Sequence, residues 1–566
     1  MSLFSSLQQA NNSLQAAQVG LQVTGNNIAN VNTPDYLRQR VIYTPAPTQA
    51  VGNLRLGLGV QVEAIVQQVD HFLEERLRGS RSDLAKGEAE ENTFTQLDAL
   101  IGELSDTDLS TSLNNFFGSI NDILNQPEDL GVRNLTILRG ETLADDISRL
   151  YERVRQVQLD TNDRIRDAAG TINGLLTDIA DLNGKITVME GGVTQSDAVG
   201  LRDQRQRKLT ELSELIGIRA VEQENGSVSV FAGGEYLVTD GIARQVYADE
   251  ESQDGTNFVN IKIVDFESPI QTDTGRLAGL VNSRDHILGD FLNQLDDFAK
   301  SFAFEFNKVF SSGQGLTGYE SIEAEHFVNA DQWDDALDQV GLPFTPENGS
   351  FQVKLLNRQT GISETHDIFV QLNGTNDDTS LEDLRAAFDE IDGLSASISL
   401  EGQLQIEADQ PNIEFAFADD TSGALAALGL GTFFTGSSAT DLGVNEMVSG
   451  DPSKFAASKS GIGKDTDNAL DLASFSDRAL DSFSGTSVAS FYKGLVGGVA
   501  QTSAVTRGVT EGFRVFKDTL EGQKLGVSGV NLDEEAVRMI TFQRQFQASS
   551  RIIATLDELL EIMVNL

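Results

Sequence analysis

The residue types that carry most chemistry are thinly spread along this chain. Four histidines occur, His71, His286, His326 and His366, and no two stand four residues apart, the spacing that puts two imidazoles on one helical face for a zinc ion. Glu323, Glu325 and His326 are near enough in sequence to converge on a cation, but an acidic loop explains the same cluster. Residues 250–254 followed by Gly255 start like a calcium loop, yet Ile261 stands where the bidentate glutamate is needed. Gly494, Gly497 and Gly498 lack the Lys-Ser or Lys-Thr pair of a phosphate loop. Cysteine is absent, which removes disulfides, thiolate metal sites and thiol nucleophiles. With 86 acids in the chain, neighbouring carboxylates single out no acid–base pair. These residues predict no catalytic site, no cofactor and no metal, and a protein that is not an enzyme.

Charge narrows the partners. Lys and Arg number 41 against 86 Asp and Glu, a net charge of −45. Such a field repels phosphate backbones and anionic leaflets, so nucleic acid and membrane are not expected as partners. The 566 residues allow three to four domains of roughly 150 residues, each with its own core. Residues 1–34 carry no charge and no uninterrupted apolar run, so they do not read as a cleavable signal, and no later segment has the run of about 20 apolar residues of a membrane span. The expectation is a soluble chain whose export, if any, leaves the N-terminus intact.

The elements that would position functional residues are clearest at the two ends. Leu3, Leu7, Ala10, Leu14, Ala17, Leu21, Thr24, Ile28 and Val31 recur at steps of three and four, as do Met539, Phe542, Phe546, Ser549, Ile553, Leu556, Leu560, Met563 and Leu566. Both rhythms predict helices with a coiled-coil seam. The first helix has a polar face of Gln, Asn and Ser without a charge, which suits a helix surrounded by protein. The last has Asn531 at the N-cap position and Glu534 at N3, a capping-box spacing, with Arg538, Arg544, Arg551, Asp557 and Glu558 off the seam.

Between the ends lies a helical block. Leu143, Ile147, Leu150, Val154, Val157 and Thr161 keep the same rhythm, and after a one-residue stutter it continues from Ile165 to Ile186, a rod of about 65 Å. Shorter helices are expected over 92–104 and 109–125, and a small sheet over 228–231, 236–238 and 258–264, with helix again over 277–310. The acidic region 311–452 reads as short strands (351–356, 367–372, 396–400, 403–406, 414–417) around a helix 381–391 capped by Ser380, and helical pattern resumes near Ala469. The fold class expected is therefore multi-domain, with a discontinuous α-helical coiled-coil core built from both termini. A helical rod domain with a small β-sheet and an inserted α+β, β-rich outer domain complete it. The domains are expected at 1–45 plus 525–566, 46–310 plus 453–524, and 311–452.

The run Gly25-Asn26-Asn27-Ile28-Ala29-Asn30-Val31-Asn32-Thr33-Pro34-Asp35-Tyr36 resembles the N-terminal signature of the bacterial flagellar rod, hook and hook-associated proteins, departing from it at Gly25 and Asp35. The C-terminal run Ser528-Gly529-Val530-Asn531-Leu532-Asp533-Glu534-Glu535, followed by residues 542–549, narrows the resemblance to the first hook–filament junction proteins of that family. Residues 427–436 are similar to the same group.

The resemblance implies an inner tube of paired terminal helices, with the assembly seam at Leu3, Leu7, Leu14, Leu21, Ile28, Val31, Met539, Phe542, Phe546, Ile553, Leu556, Leu560 and Met563. It marks Asn26, Asn27, Ile28, Ala29, Asn30, Asn32, Thr33, Pro34, Tyr36, Gly529, Asn531, Asp533 and Glu534 as signature residues. It implies a structural adaptor of the flagellum that joins hook to filament and polymerises after type III export. The implied partners are other copies in a ring or helical assembly, the hook protein, the second hook–filament junction protein, the export apparatus, and a cytoplasmic chaperone on the C-terminal helix. The implied location is outside the cell at the hook–filament junction, with a transient stay in the cytoplasm. The alternative is an exported enzyme or adhesin whose acidic middle domain carries the activity while flagellar-type ends anchor it.

Overall fold

The computed structural model describes residues 3–33, 36–51, 54–102, 108–191, 197–253, 256–265, 267–375 and 377–565. Pro34 and Asp35 of the signature, Asp254 and Gly255 of the calcium-like run, and Leu566 of the terminal stripe lie outside the described residues. In chain order the helices are α1 (Leu3–Ala29), α2 (His71–Gly102), α3 (Leu109–Asn125), α4 (Leu130–Glu190), α5 (Val199–Leu215), α6 (Arg276–Asn282), α7 (Gly289–Ser311), α8 (Leu381–Asp389), α9 (Ala424–Leu428), α10 (Glu446–Gly450), α11 (Asp467–Ser474), α12 (Val488–Ser528) and α13 (Leu532–Val564). The fold is multi-domain and largely helical, with small antiparallel sheets. Two compact units divide it, one of Met1–Thr93, Leu159–Arg284 and Ser503–Leu566, the other of Phe94–Gln158 and Asp285–Thr502. Among the described residues no helix is long and apolar enough to cross a membrane.

In the first unit the apolar face of α4, with Ile165, Ile172, Leu176 and Ile179, packs on Leu209 and Leu212 of α5 and on two sheets. One sheet has four strands in sequential order over 219–243, and the other joins 246–253, 256–263 and 268–269. Three asparagines of α4 tie it to strand backbone. Asn173 Nδ2 donates to the Val246 carbonyl (2.7 Å) while its Oδ1 accepts from Val246 N (2.8 Å). Asn183 treats Val228 the same way (2.8 and 3.0 Å), and Asn162 joins Asn257 O and Val259 N. Each amide satisfies one donor and one acceptor that burial under the helix would otherwise strand.

The second unit has two cores. In one, α7 places Phe298, Phe302, Phe306 and Phe310 four residues apart on one face, where they meet Phe116 and Phe117 of α3 and Phe433, Phe434 and Phe475. Most of the rings sit in tilted and edge-on pairs, for example Phe116 and Phe306 at 5.3 Å and Phe433 and Phe434 at 4.8 Å, an arrangement the ring quadrupole favours. Residues 427–434 are buried, and Asn307 Oδ1 accepts from both Phe433 N and Phe434 N. In the other core, the sheet ordered 363–370, 349–357, 413–418 and a second of 321–323, 404–408 and 394–398 enclose Phe351, Phe415 and Phe417 with Leu384 and Phe388 of α8. Ser380 and Asp383 cap α8 with a full capping box.

Several elements differ from expectation. Helix α2 begins at His71 rather than 92 and α4 at Leu130 rather than 143, and α4 runs unbroken through the stutter in its apolar pattern. Helix α5 and the strands 39–45, 48–51, 54–57 and 60–67 had no clear signal. The first turns of α2 are rich in charged residues, so packing rather than periodicity sustains them, as with Leu77 against Leu520 of α12. The helix over 277–310 contains a π-turn at Ser283–Leu288. The helical run after Ala469 breaks at 475–487, where Ser484 and Gly485 take positive φ (54° and 75°). Replacing Asn173 by Ala should strip both backbone partners from buried Val246 and cost about 1 to 3 kcal/mol, read as faster amide hydrogen exchange at Val246. Unchanged exchange there would show that the asparagine is not needed.

Candidate functional site

Helices α1 and α13 pack against each other with opposite chain direction. Three contacts set the register. Ser549 Oγ donates to Ser13 Oγ (3.1 Å), the Phe542 ring covers Gly20, and Asn27 Nδ2 donates to Glu535 Oε2 (3.0 Å). Along each helix these points are seven residues apart, one heptad per contact. A Cβ on Gly20 would lie 2.8 Å from three Phe542 ring atoms, so only glycine lets the ring seat there. The same ring lies 6.5 Å from that of Tyr43, whose strand 39–45 pairs with 60–67 beside α1.

The residues expected at the seam fall into distinct environments. On α13, Met539, Phe542, Phe546, Ile553, Leu556 and Leu560 are half-buried and Ser549 is buried, whereas Met563 is exposed. On α1, Leu3, Leu7, Leu14, Leu21 and Ile28 are half-buried, while the deeply buried positions are the small and polar ones, Ala10, Ala16, Ala17, Gly20, Val23, Thr24 and Asn27. Val31 lies past the end of α1, in a turn. That turn follows from the asparagines. Asn30 N and Nδ2 both donate to the Asn26 carbonyl (3.1 and 2.9 Å), and Asn30 Oδ1 accepts from Thr33 Oγ1 (3.1 Å). Ala29 and Asn32 are exposed.

A buried polar knot closes the pair at this end. Glu535 is fully buried, and its Oε1 accepts from Arg38 Nε (2.9 Å) and Nη2 (2.6 Å) while Oε2 accepts from Asn27. Asn27 also donates to the Gln39 carbonyl (2.9 Å) and accepts from Gln39 N and Tyr36 Oη (3.0 Å each). Arg38 N donates to the Ser528 carbonyl at the end of α12 (3.0 Å). Burial opposes the Arg38 charge, but the hydrogen bonds it donates to the Glu534 and Glu535 carboxylates outweigh it and raise its pKa. Burial, with the charges of Asp203 and Glu535, pushes the Tyr36 phenol well above its usual value, and burial lifts the Asp203 carboxyl to about 6.

The C-terminal signature has its own local reasons. Asn531 Oδ1 accepts from Asp533 N (2.9 Å) and Glu534 N (3.3 Å), so it caps α13, with three acids in the positive first turn. The reciprocal arm of a capping box is replaced, because the Glu534 carboxylate reaches Arg38 Nη2 instead (2.7 Å). A Cβ on Gly529 would stand 2.3 Å from the Leu525 carbonyl. Arg38 and Glu535, which carry the knot, were not among the expected residues. The only hints were that Arg38 is the first basic residue of the chain and that Glu535 extends the acidic first turn.

The other candidates stay apart. Glu325 Oε1 accepts from Gly436 N (2.7 Å), Glu323 Oε1 from Gln405 Nε2 (2.9 Å), and burial lowers the His326 pKa. Ile261 is buried in its strand, and Gly494, Gly497 and Gly498 lie within α12. Among the described residues no group of three or more His, Asp or Glu is placed to hold a metal ion.

The model of the flagellar hook-associated protein FlgK helical domain matches residues 94–324, and that of the flagellar basal body rod FlgEFG protein C-terminal matches 522–566, which holds the Asn531 cap and α13. Flagellar hook-associated protein 1 of Escherichia coli (strain K12) is 26% identical over 585 residues, covering 99% of both chains. The chain is similar to flagellar hook-associated protein 1 over nearly its whole length. Its likeness to that protein extends to Bacillus subtilis (strain 168), at 22% identity over 581 residues, 100% of this chain and 98% of the other. The structure of the flagellar hook junction protein FlgK from Burkholderia pseudomallei shares the fold, with a TM-score of 0.50 at 16% identity over 80% of this chain and 100% of that one.

Removing the buried carboxylate should loosen the pair selectively. Glu535→Ala is expected to cost about 3 kcal/mol, near a hundredfold in amide exchange over the facing ends of α1 and α13, with α7 unaffected. Equal protection in parent and variant would mean that the knot does not hold the helices.

Proposed function

We propose that this chain is a structural subunit of the bacterial flagellum that joins hook to filament and polymerises through α1 and α13. The observation that carries the reading is the locked α1–α13 pair with two unmatched faces. Around α1, Gln8, Asn11, Gln15, Gln18, Gln22 and Asn26 form an exposed stripe without a charge. Along α13, Val537, Ile540, Ile552, Leu559 and Ile562 are exposed on the side away from the Phe542 row. An exposed apolar row on one helix and an uncharged amide row on the other leave both outer faces of the pair for neighbouring copies.

On this reading residues 1–45 with 525–566 form the assembly domain, 46–310 with 453–524 the helical domain, and 311–452 the outer domain. The neighbours are copies of the chain, the hook protein and the second junction protein, outside the cell. Before export through the type III apparatus, a cytoplasmic chaperone covers the α13 stripe, which would otherwise promote early association. Neither the relatives nor the described residues favour the enzyme or adhesin alternative.

Ile540→Asp together with Ile552→Asp places two carboxylates on the exposed row of α13. The purified variant should keep the parent's melting transition, because these side chains lie outside the α1 contact. Cells carrying it should build hooks but shed unpolymerised filament protein. Normal swimming with filaments of ordinary length would contradict the assignment.

A further inference from the structure

We propose that a cavity in the first unit, between α2 and α5, binds a small organic carboxylate through the guanidinium groups of Arg78 and Arg205. The cavity has a volume of about 490 Å³, within the range of small-molecule sites. Arg78 on α2 and Arg205 on α5 both line it, and they are only 8% and 4% exposed.

Among the described residues neither arginine is hydrogen-bonded to a carboxylate, although the charges of Glu74 and Glu75 act on Arg78 and those of Glu222 and Glu190 on Arg205. Among the described residues Arg78 makes one hydrogen bond, from Nη1 to Gln206 Oε1 at 3.5 Å, the outer limit for such a bond. Arg205 uses Nη1 alone, toward the neutral Asn183 Oδ1 (2.9 Å) and Gly226 carbonyl (2.6 Å). Burial depresses both pKa values, Arg205 to about 10. Two buried cations with unused N–H groups on one cavity are unfavourable unless an anion joins them. The planar fork of a guanidinium matches the two oxygens of a carboxylate.

The acids on the cavity are largely engaged elsewhere. Glu222 pairs with Arg202 (2.7 Å), and Glu74 accepts from Gln206 Nε2 (2.7 Å) and pairs with Lys524 (2.9 Å). Glu75 and His71 are exposed. The remaining acidic field disfavours a doubly charged phosphate, and the apolar walls of Leu37, Leu209 and Val228 call for a carbon body on the ligand. A single carboxylate on a short apolar chain meets both conditions.

Calorimetric titration of the full chain with hexanoate, hexan-1-ol and inorganic phosphate tests this without any variant. Hexanoate should bind saturably, and the alcohol and phosphate at least about tenfold more weakly. Arg78→Met should weaken hexanoate about tenfold or more, with part of the loss restored in Arg78→Lys, and should melt no lower than the parent without ligand. The proposal fails if hexanoate shows no saturable binding, if hexan-1-ol or phosphate binds as well, or if Arg78→Met binds hexanoate like the parent.

Discussion

A carboxylate removed from water must find its hydrogen bonds ready-made, and Glu535 finds them on segments from the opposite end of the chain. Arg38 supplies two donors and Asn27 a third, so the acid is buried only when α1, the 36–39 segment and α13 are in register. Losing one partner strands a charge at a cost of about 3 to 5 kcal/mol. A slip of one heptad along α1 would present Gly20 to Glu535 in one direction, or Asn27 to the Phe542 ring in the other. The knot thus selects one register from several that an apolar stripe alone would tolerate, as a buried polar residue does in a coiled coil. The Gly20 seat for Phe542 and the Ser13–Ser549 bond follow from that choice.

The same constraint connects fold to function. Because the α1–α13 contact draws on small residues of α1 and the Phe542 row of α13, the amide row of α1 and the row from Val537 to Ile562 remain outside. A subunit that buried every apolar stripe internally would have nothing left for a neighbour. By contrast, the phenylalanines of α7 and the strands around Phe417 are enclosed within their own unit.

Much of this was legible in the sequence, and the failures have physical causes. The three-four rhythm located both terminal helices, and residues 539–560 on that rhythm turn toward α1. On α1 the rhythm was right, but the leucines drew attention from the small residues that lie deepest, since steric fit to Phe542 is a property of two helices and not of one period. The Asn27–Tyr36 signature was legible as a pattern, but its chemistry was not, because Glu535 lies 508 residues from Asn27. Likewise Asn162, Asn173 and Asn183 read as polar positions on a helix until the strands they bond were in place. Short strands such as 48–51 and 54–57 bury too little in sequence order to stand out.

The register of α1 on α13 is the central claim, and the absence of native cysteine allows a clean measurement of it. A chain carrying Ser13→Cys and Ser549→Cys should form an intramolecular disulfide under mild oxidation, because the two Oγ atoms stand 3.1 Å apart. Ser13→Cys with Phe542→Cys, one heptad out of register, should not. Cross-linking of the second pair as readily as the first, or of neither in the monomer, would contradict the account.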